Sequence, residues 1–146
     1  MVRKLIELCP DSTSSRDCLD RTPLHIAAGT GSSVLVLDML VKSYPEACLM
    51  QDADGRTSLH LACDNSCVLF EGGNTQREPP SFEVIHTLLS ACMSAAVVED
   101  KEGTNALEYA IFSEANIHVV KVLQKATQKE IRKKQQELRS RRALAA

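Results

Sequence analysis

Three side chains that can bind a metal ion lie close together in the sequence, namely His60, Cys63 and Cys67. The sequence predicts all three on a single helix, where spacings of three and four place them on one face, and imidazole and thiolate groups are ligands for zinc. No fourth ligand follows nearby. A nucleophilic cysteine–histidine pair is also incomplete, because Asp64 would lie on another face of that helix and could not orient the imidazole. We therefore predict no metal site and no catalytic residue, and we expect a protein that is not an enzyme and uses no cofactor.

The remaining cysteines predict packing rather than disulfide bonds. The chain has six cysteines; Cys9, Cys48 and Cys92 fall near the ends of predicted helices, and Cys18 lies in a predicted turn. We interpret them as packing or surface residues of an intracellular protein, in which thiols stay reduced. The chain has no run of 18 apolar residues that could span a membrane, and its N-terminus lacks the apolar run of a signal peptide. We expect a cytoplasmic or nuclear protein.

A repeated tetrapeptide gives His60 a structural role instead. TPLH at residues 22–25 recurs as TSLH at residues 57–60 and, in a weaker form, as NALE at residues 105–108. The copies start 35 and 48 residues apart. An aspartate lies five residues before each copy and an alanine five residues after it: Asp17, Asp52, Asp100 and Ala27, Ala62, Ala110. One unit is therefore repeated, with thirteen extra residues in its second copy.

The repeated unit resembles the ankyrin repeat, in which a turn and two helices recur about every 33 residues and the first helix begins with T-P-L-H. Residues 15–125 carry the resemblance. It implies an all-α fold, an ankyrin-repeat solenoid of stacked helix-turn-helix units with hairpin-like loops, followed here by an extended C-terminal helix. In that family the threonine caps the first helix, the leucine points inward, and the imidazole bonds the threonine hydroxyl and the backbone of a neighbouring turn. Asn105 and Glu108 replace threonine and histidine in the third copy, so we expect these bonds, each worth about 1 kcal/mol, to be lost there.

The same register divides the single domain 1–146 into units. Apolar pairs at helical spacing begin at Val36, Val84 and Val119 and predict the second helix of each unit, so the thirteen extra residues lie between the two helices of the second unit. In this insert, VLFEGGNTQREPP, either Leu69 and Phe70 pack back onto their own helices, or the loop is a recognition element that projects on the side opposite the hairpins. The predicted parts are an N-terminal half repeat (1–12), repeat 1 (17–51), repeat 2 (52–99) with its insert (68–80), repeat 3 (100–126) and a basic C-terminal helix (127–146).

The resemblance implies a scaffold for protein–protein interaction, because ankyrin partners usually meet the concave face made by the hairpin tips and the ends of the first helices. Acidic side chains at these positions predict a partner with a basic or mixed-charge surface, and we expect the protein itself to be a monomer. The positions predicted to contact the partner are Cys18, Leu19, Arg21, Thr30, Ala53, Asp54, Arg56, Asp64, Asn65, Lys101, Glu102 and Thr104.

Charge is distributed unevenly along the chain. Residues 1–120 hold 8 basic and 17 acidic side chains, whereas residues 121–146 hold 9 basic and 2 acidic ones. From Ile117 to about Arg142 there is no glycine or proline, which predicts one helix that packs at its start and continues into solvent as a basic rod. Three interpretations remain open: a solvated capping helix, a partial coiled coil, and a nuclear-import or nucleic-acid patch. The last leads to the alternative function, which is electrostatic binding of nucleic acid or an anionic membrane. The basic patch for that alternative is Arg132, Lys133, Lys134, Arg139, Arg141 and Arg142.

Overall fold

The computed structural model of this chain describes residues 2–66, 69 and 78–145. These residues form an all-α fold, as predicted, and the one β-type contact among them is an isolated bridge between Glu99 and Asn105. Seven α-helices lie in this part of the chain: α1 (Val2–Leu8), α2 (Pro23–Gly29), α3 (Val34–Ser43), α4 (Ser58–Cys63), α5 (Phe82–Ala91), α6 (Ala106–Phe112) and α7 (Ile117–Leu144). Short 3₁₀ helices follow α1, α3 and α5, at Pro10–Thr13, Pro45–Cys48 and Met93–Val97.

The helices stack in two layers. One layer contains α2, α4 and α6 side by side, the other contains α3, α5 and α7, and the pairs α2–α3, α4–α5 and α6–α7 are the repeat units. α1 packs against α3, as its interpretation as the second helix of a preceding unit requires. Apolar side chains fill the space between the layers, and the fully buried ones include Leu24, Leu37, Leu59, Ile85, Leu88 and Leu123. The predicted solenoid of helix pairs is confirmed.

Threonine and histidine form the same hydrogen-bonded start in α2 and α4. At α2, the Thr22 backbone N–H donates to Nδ1 of His25 at 3.1 Å, and the Thr22 hydroxyl lies 2.8 Å from the same nitrogen. At α4, Thr57 and His60 make the same two contacts at 3.1 and 2.8 Å. Pro23 occupies the first position of α2, where the helix needs no backbone N–H. The predicted caps are confirmed at both helices.

The start of α6 uses a different pair of side chains. Asn105 Oδ1 accepts hydrogen bonds from the backbone N–H groups of Leu107 and Glu108 at 3.0 and 3.2 Å. In return, Glu108 Oε2 accepts from the Asn105 N–H at 2.8 Å. A carboxamide and a carboxylate thus form a complete capping box of their own. Among the described residues neither side chain bonds another turn, so the expected loss of the bonds that tie one unit to the next is confirmed.

The second unit has the longer connection between its helices. Residues 64–81 connect α4 to α5, whereas residues 30–33 connect α2 to α3. Phe70 and most of the insert lie outside the described residues. Among the helices of the described part, none combines the length and the apolar character needed to cross a bilayer.

Helix α7 packs at its start and is exposed beyond, as predicted. Its buried side chains are Val119, Leu123, Ala126 and Glu130. Glu130 accepts a hydrogen bond from the Ser94 hydroxyl at 3.1 Å, which attaches the middle of α7 to the 3₁₀ helix Met93–Val97. Every residue from 131 to 145 is exposed. Half of this 28-residue helix therefore extends into solvent.

Candidate partner-binding face

Three turns repeat one hydrogen-bonded structure, and we call them the fingers: residues 17–21, 52–56 and 100–104. Each finger begins with an aspartate whose backbone N–H donates to the carbonyl of the fifth residue, at 3.1, 2.8 and 3.0 Å respectively. The Oδ1 atom of that aspartate accepts from the backbone N–H groups of the third and fifth residues at 2.8 to 2.9 Å. The aspartates that mark the repeat register therefore close the turns, a role that their spacing alone did not reveal.

The hydrogen bonds of the fingers favour ionised carboxylates. The hydrogen bond from the Arg21 side chain is the largest cause of the lowered pKa of Asp17. At Asp100 burial raises the pKa, but hydrogen bonds from the Thr104 N–H, the Tyr109 hydroxyl and a further backbone N–H outweigh it and lower the pKa overall. The shape of these two fingers is thus linked to the negative charge of their first residue.

Backbone hydrogen bonds join each finger to the next. The Ala53 N–H donates to the Leu19 carbonyl at 2.9 Å, and the Lys101 N–H donates to the Asp54 carbonyl at 3.1 Å. Gly55 has a left-handed φ of +80°, and a Cβ there would lie 2.8 Å from the Lys101 nitrogen. Glycine therefore permits both the turn and the close approach of the third finger. The three fingers form one continuous border of the molecule, which we call the finger edge.

Nine of the predicted contact residues lie in the fingers, and their exposure differs. The exposed ones are Cys18, Leu19, Asp54, Lys101 and Glu102. The partly buried ones are Arg21, Ala53, Arg56 and Thr104. Leu19 is a large apolar side chain that is 49% exposed, and the Asp54 side chain is 71% exposed. The finger edge thus presents apolar, acidic and basic groups side by side.

Two arginines form ion pairs within the fingers. Arg21 places Nε and Nη2 at 2.7 Å from Asp17 Oδ2. Arg56 places Nη2 at 2.7 Å from Asp54 Oδ2 and Nε at 3.4 Å from Asp52 Oδ2. An ion pair that is open to solvent contributes about 0–1 kcal/mol. The carboxylate of Asp54 therefore remains accessible to a cation from outside.

The three predicted contacts at the helix ends behave differently from the finger residues. Thr30 is exposed. Asp64 is 7% exposed, and its Oδ1 accepts from the Ser66 N–H at 2.8 Å and the Ser66 hydroxyl at 2.6 Å. Asn65 donates to Ser113 from its backbone and side-chain nitrogens at 3.1 and 3.2 Å. Because Asp64 and Asn65 are engaged in holding loops together, we leave them out of the surface proposed below.

Leu69 brings the insert into contact with the first helices. Its side chain is 7% exposed and fills the space beside Gly29, where a Cβ would lie 2.7 Å from Leu69 Cδ1. Arg21 Nη1 donates to the Leu69 carbonyl at 3.2 Å. Leu69 therefore packs against α2 of the first unit, and its carbonyl lies within reach of the first finger. The rest of the insert from Val68 to Arg77, on which the two interpretations depend, lies outside the described residues.

Both motif histidines use their two ring nitrogens for structural bonds. Nδ1 of His60 accepts from the Thr57 N–H, and Nε2 donates to the Thr104 carbonyl at 3.1 Å. His25 Nε2 donates in the same way to the Arg56 carbonyl at 3.0 Å. Burial lowers the pKa of both imidazoles and keeps them neutral. Each histidine therefore ties a helix start to the following finger, as the resemblance implies.

Two of the three candidate metal ligands, His60 and Cys63, lie in α4. α4 ends at Cys63, and Cys67 lies outside the described residues. Cys63 is fully buried, and this burial raises the pKa of its thiol. Within the described ranges, no three histidine, cysteine, aspartate or glutamate side chains come together in a group that could hold a metal ion.

Comparison with known proteins agrees with this geometry. Residues 1–71 match the family model described as ankyrin repeats, in three copies. The matched region includes the first two fingers, and the finger 100–104 with α6 and α7 repeats the same arrangement beyond it. No curated protein matches the chain.

Proposed function

We propose that this chain, whose residues 1–71 match the ankyrin-repeat model, binds a partner protein along the finger edge, because ankyrin repeats generally mediate binding to other proteins. The proposed partner has a basic or mixed-charge surface. The chain acts as a monomeric scaffold in the cytoplasm or nucleus, and it uses neither a cofactor nor a catalytic step.

The observation that supports this site is the division of roles within each finger. The first residue closes the turn, and backbone bonds fix neighbouring fingers relative to each other. The residues between, such as Leu19, Asp54 and Glu102, hold their side chains in solvent. A rigid backbone with exposed side chains is preorganised for binding, since little conformational entropy is lost when a partner docks.

The exposed charges suggest the chemistry of the partner. Asp54 and Glu102 are exposed carboxylates on adjacent fingers, and the side chain of Asp20 in the first finger is 63% exposed. Lys101 and the apolar Leu19 lie among them. A partner that places cationic side chains around one apolar contact would complement this edge, with the charges accelerating association.

The proposal is tested by capturing a binding protein with the immobilised chain, identifying it by mass spectrometry, and then measuring its binding kinetics. The variant Asp54→Lys/Glu102→Lys reverses two exposed charges of the finger edge. We expect its association rate to fall by about tenfold at low salt, with the difference shrinking as salt is raised.

The matched control is Glu78→Lys/Glu83→Lys, which makes the same charge change at two exposed residues near the start of α5. Its association rate should stay within about twofold of the wild type, because these residues lie at the other end of the helices from the fingers. An unchanged rate for the finger variant, or an equal fall in both variants, would contradict the proposed surface.

A further inference from the structure

Helix α7 carries a second charged surface, separate from the finger edge. Its residues 131–145 are all exposed. Among the described residues, the ion pairs lie in α1, in the fingers and in α3, and none of them involves a basic side chain of α7. In the described part of the chain, the basic side chains of α7 are therefore not held in ion pairs with carboxylates.

Four of the nine basic residues of α7 lie on one side of the helix. Successive residues of an α-helix are rotated by about 100°. The packed side of α7 is defined by its buried residues, Val119, Leu123, Ala126 and Glu130. On the opposite side, within about 40° of arc, lie four exposed cations that we call the basic stripe: Lys121, Lys125, Arg132 and Arg139. The stripe is about 27 Å long, at about 1.5 Å per residue.

The acidic residues of α7 lie away from the basic stripe. Glu130 is buried on the packed side, where it bonds Ser94. Glu137 follows seven residues later and falls on the same side, because seven residues nearly complete two helical turns. Gln128 and Gln135, which can also donate hydrogen bonds, occupy the gaps in the stripe. The stripe is therefore free of negative charge along its whole length.

The basic patch that the sequence predicted is distributed over different faces of α7. Arg132 and Arg139 belong to the basic stripe. Lys133, Lys134 and Arg141 lie on the other faces of the same exposed segment, closer to the direction of the packed side. The two groups are both positively charged and exposed, and they differ in the face of α7 on which they lie.

We propose that the basic stripe binds the phosphate backbone of duplex nucleic acid. A row of cations at intervals of four or seven residues, about 6 to 10.5 Å at about 1.5 Å per residue, can contact a row of phosphates, and this contact needs no apolar groups. Protein interfaces, by contrast, are depleted in lysine and centre on apolar or aromatic anchors. The stripe has no such anchor, since the exposed Ile131 and Leu138 lie about a quarter turn away from it.

Two other polyanionic surfaces fit the stripe less well. A helix that lies in a membrane interface buries an apolar face with Trp, Phe or Leu opposite its cations. α7 contains no Phe, Tyr or Trp, and from Val119 to Glu130 its side opposite the stripe is packed on the repeats. Single-stranded nucleic acid is usually held by stacking on aromatic side chains. The phosphate backbone of a duplex remains, because binding it requires only a row of exposed cations, which the stripe provides.

The test uses the full chain and a fluorescein-labelled 20-base-pair DNA duplex, with an RNA duplex of the same length, in anisotropy titrations at several salt concentrations. With four phosphate contacts, log K should fall against log salt with a slope of about −3 to −4. Affinity is expected in the micromolar range at about 50 mM salt, without sequence preference, because backbone contacts carry no sequence information. Comparing the two duplexes shows which nucleic acid is preferred.

The stripe variant is Lys125→Gln/Arg132→Gln/Arg139→Gln, and the control is Lys133→Gln/Lys134→Gln/Arg141→Gln. Both remove three exposed cations from one helix and introduce a good helix former, and circular dichroism should show unchanged helicity and melting. We expect the stripe variant to lose at least about tenfold in affinity and to flatten the salt slope by about 2 to 3, whereas the control changes far less.

Three results would overturn the proposal. One is the absence of duplex binding at about 100 µM protein in about 50 mM salt. The affinity would then be weaker than that of ordinary non-specific DNA binding. Another is an equal loss in the stripe and control variants, because net charge rather than direction would then decide affinity. The third is tighter binding to vesicles with 30% phosphatidylserine than to either duplex, which would make a membrane the ligand.

Discussion

The second and third repeat units begin their first helices with different residues, and only one of these two starts reaches beyond its own unit. Thr57 and His60 form a capping box, and the same imidazole donates to the Thr104 carbonyl in the next finger at 3.1 Å. Asn105 and Glu108 form a capping box as well, with the carboxylate directed back to its own helix start. A helix start can therefore be capped without being bonded to the next finger. Many polar pairs can cap, but a bond to the next finger needs a side chain that accepts at one end and donates at the other.

Packing shows the same contrast between the two units. α4 lies between α2 and α6, and its residues Leu59 and Cys63 are fully buried. In α6, Leu107 is only partly buried, while Ile111 and Phe112 are 52% and 77% exposed. The second unit is thus stabilised from both sides, and the third leaves apolar side chains uncovered.

The largest expected effect is that of truncating the motif leucine. Leu59→Ala should lower the free energy of unfolding by about 2–5 kcal/mol, because the cavity would be fully enclosed between repeats. Leu107→Ala, at the same motif position of the third unit, should cost about 1 kcal/mol, since its side chain is already partly in water. Urea denaturation followed by circular dichroism measures both. A loss below about 1 kcal/mol for Leu59, or equal losses at the two positions, would remove the contrast.

Much of the structure of the helix starts could be predicted from the sequence, because it depends on residues only a few positions apart. The tetrapeptide at residues 57–60 predicts the cap, the inward leucine and the tie to the next turn, and each is confirmed. At residues 105–108 the substitutions predict the loss of the tie to the next turn, and that loss is confirmed among the described residues. The cap that replaces it was not foreseen, although Asn and Glu have the acceptor groups for a capping box.

Contacts that depend on the path of the long connection could not be predicted. Leu69 reaches Gly29 and Arg21, which are 40 and 48 residues away in sequence, and no periodicity encodes this. Asp64 follows the helix as a polar residue that could be exposed, and its burial is set by the turn to Ser66. The direction of the basic stripe likewise depends on which side of α7 is packed.

Acidification should destabilise the starts of α2 and α4, which contain histidine. The start of α6 contains asparagine and glutamate instead. Burial lowers the pKa of His25 and His60 below the usual value of 6.5. Above about pH 6.5 both are neutral in the folded and unfolded chains, and stability is complete. Below it the unfolded chain binds protons that the folded chain does not, so stability falls toward the lowered pKa by up to about 1.4 kcal/mol per pH unit for each histidine.

The measurement is urea denaturation between about pH 7.5 and 5, a range above the usual pKa of aspartate. His60→Gln should remove about half of the pH dependence, leaving the contribution of His25. The control His86→Gln/His118→Gln changes two exposed histidines and should keep all of it. Stability that stays constant over this range in the wild type would mean that neither imidazole is held neutral by the fold.

The smallest expected effect concerns the first and second units, which differ at the first position of the helix. Pro23 occupies it in α2, whereas in α4 the Ser58 side chain is buried and its hydroxyl has no hydrogen-bond partner among the described residues. The preceding threonines share one extended conformation, with φ −83° and ψ 164° at Thr22 and φ −90° and ψ 169° at Thr57, which is the conformation that a following proline requires. Ser58→Pro should therefore raise stability by about 0.5–1 kcal/mol, by restricting the unfolded chain and removing the unpaired hydroxyl. Pro23→Ser should lower it by a similar amount, and a Ser58→Pro variant that is less stable in urea would show that the space beside α4 is too small for the ring.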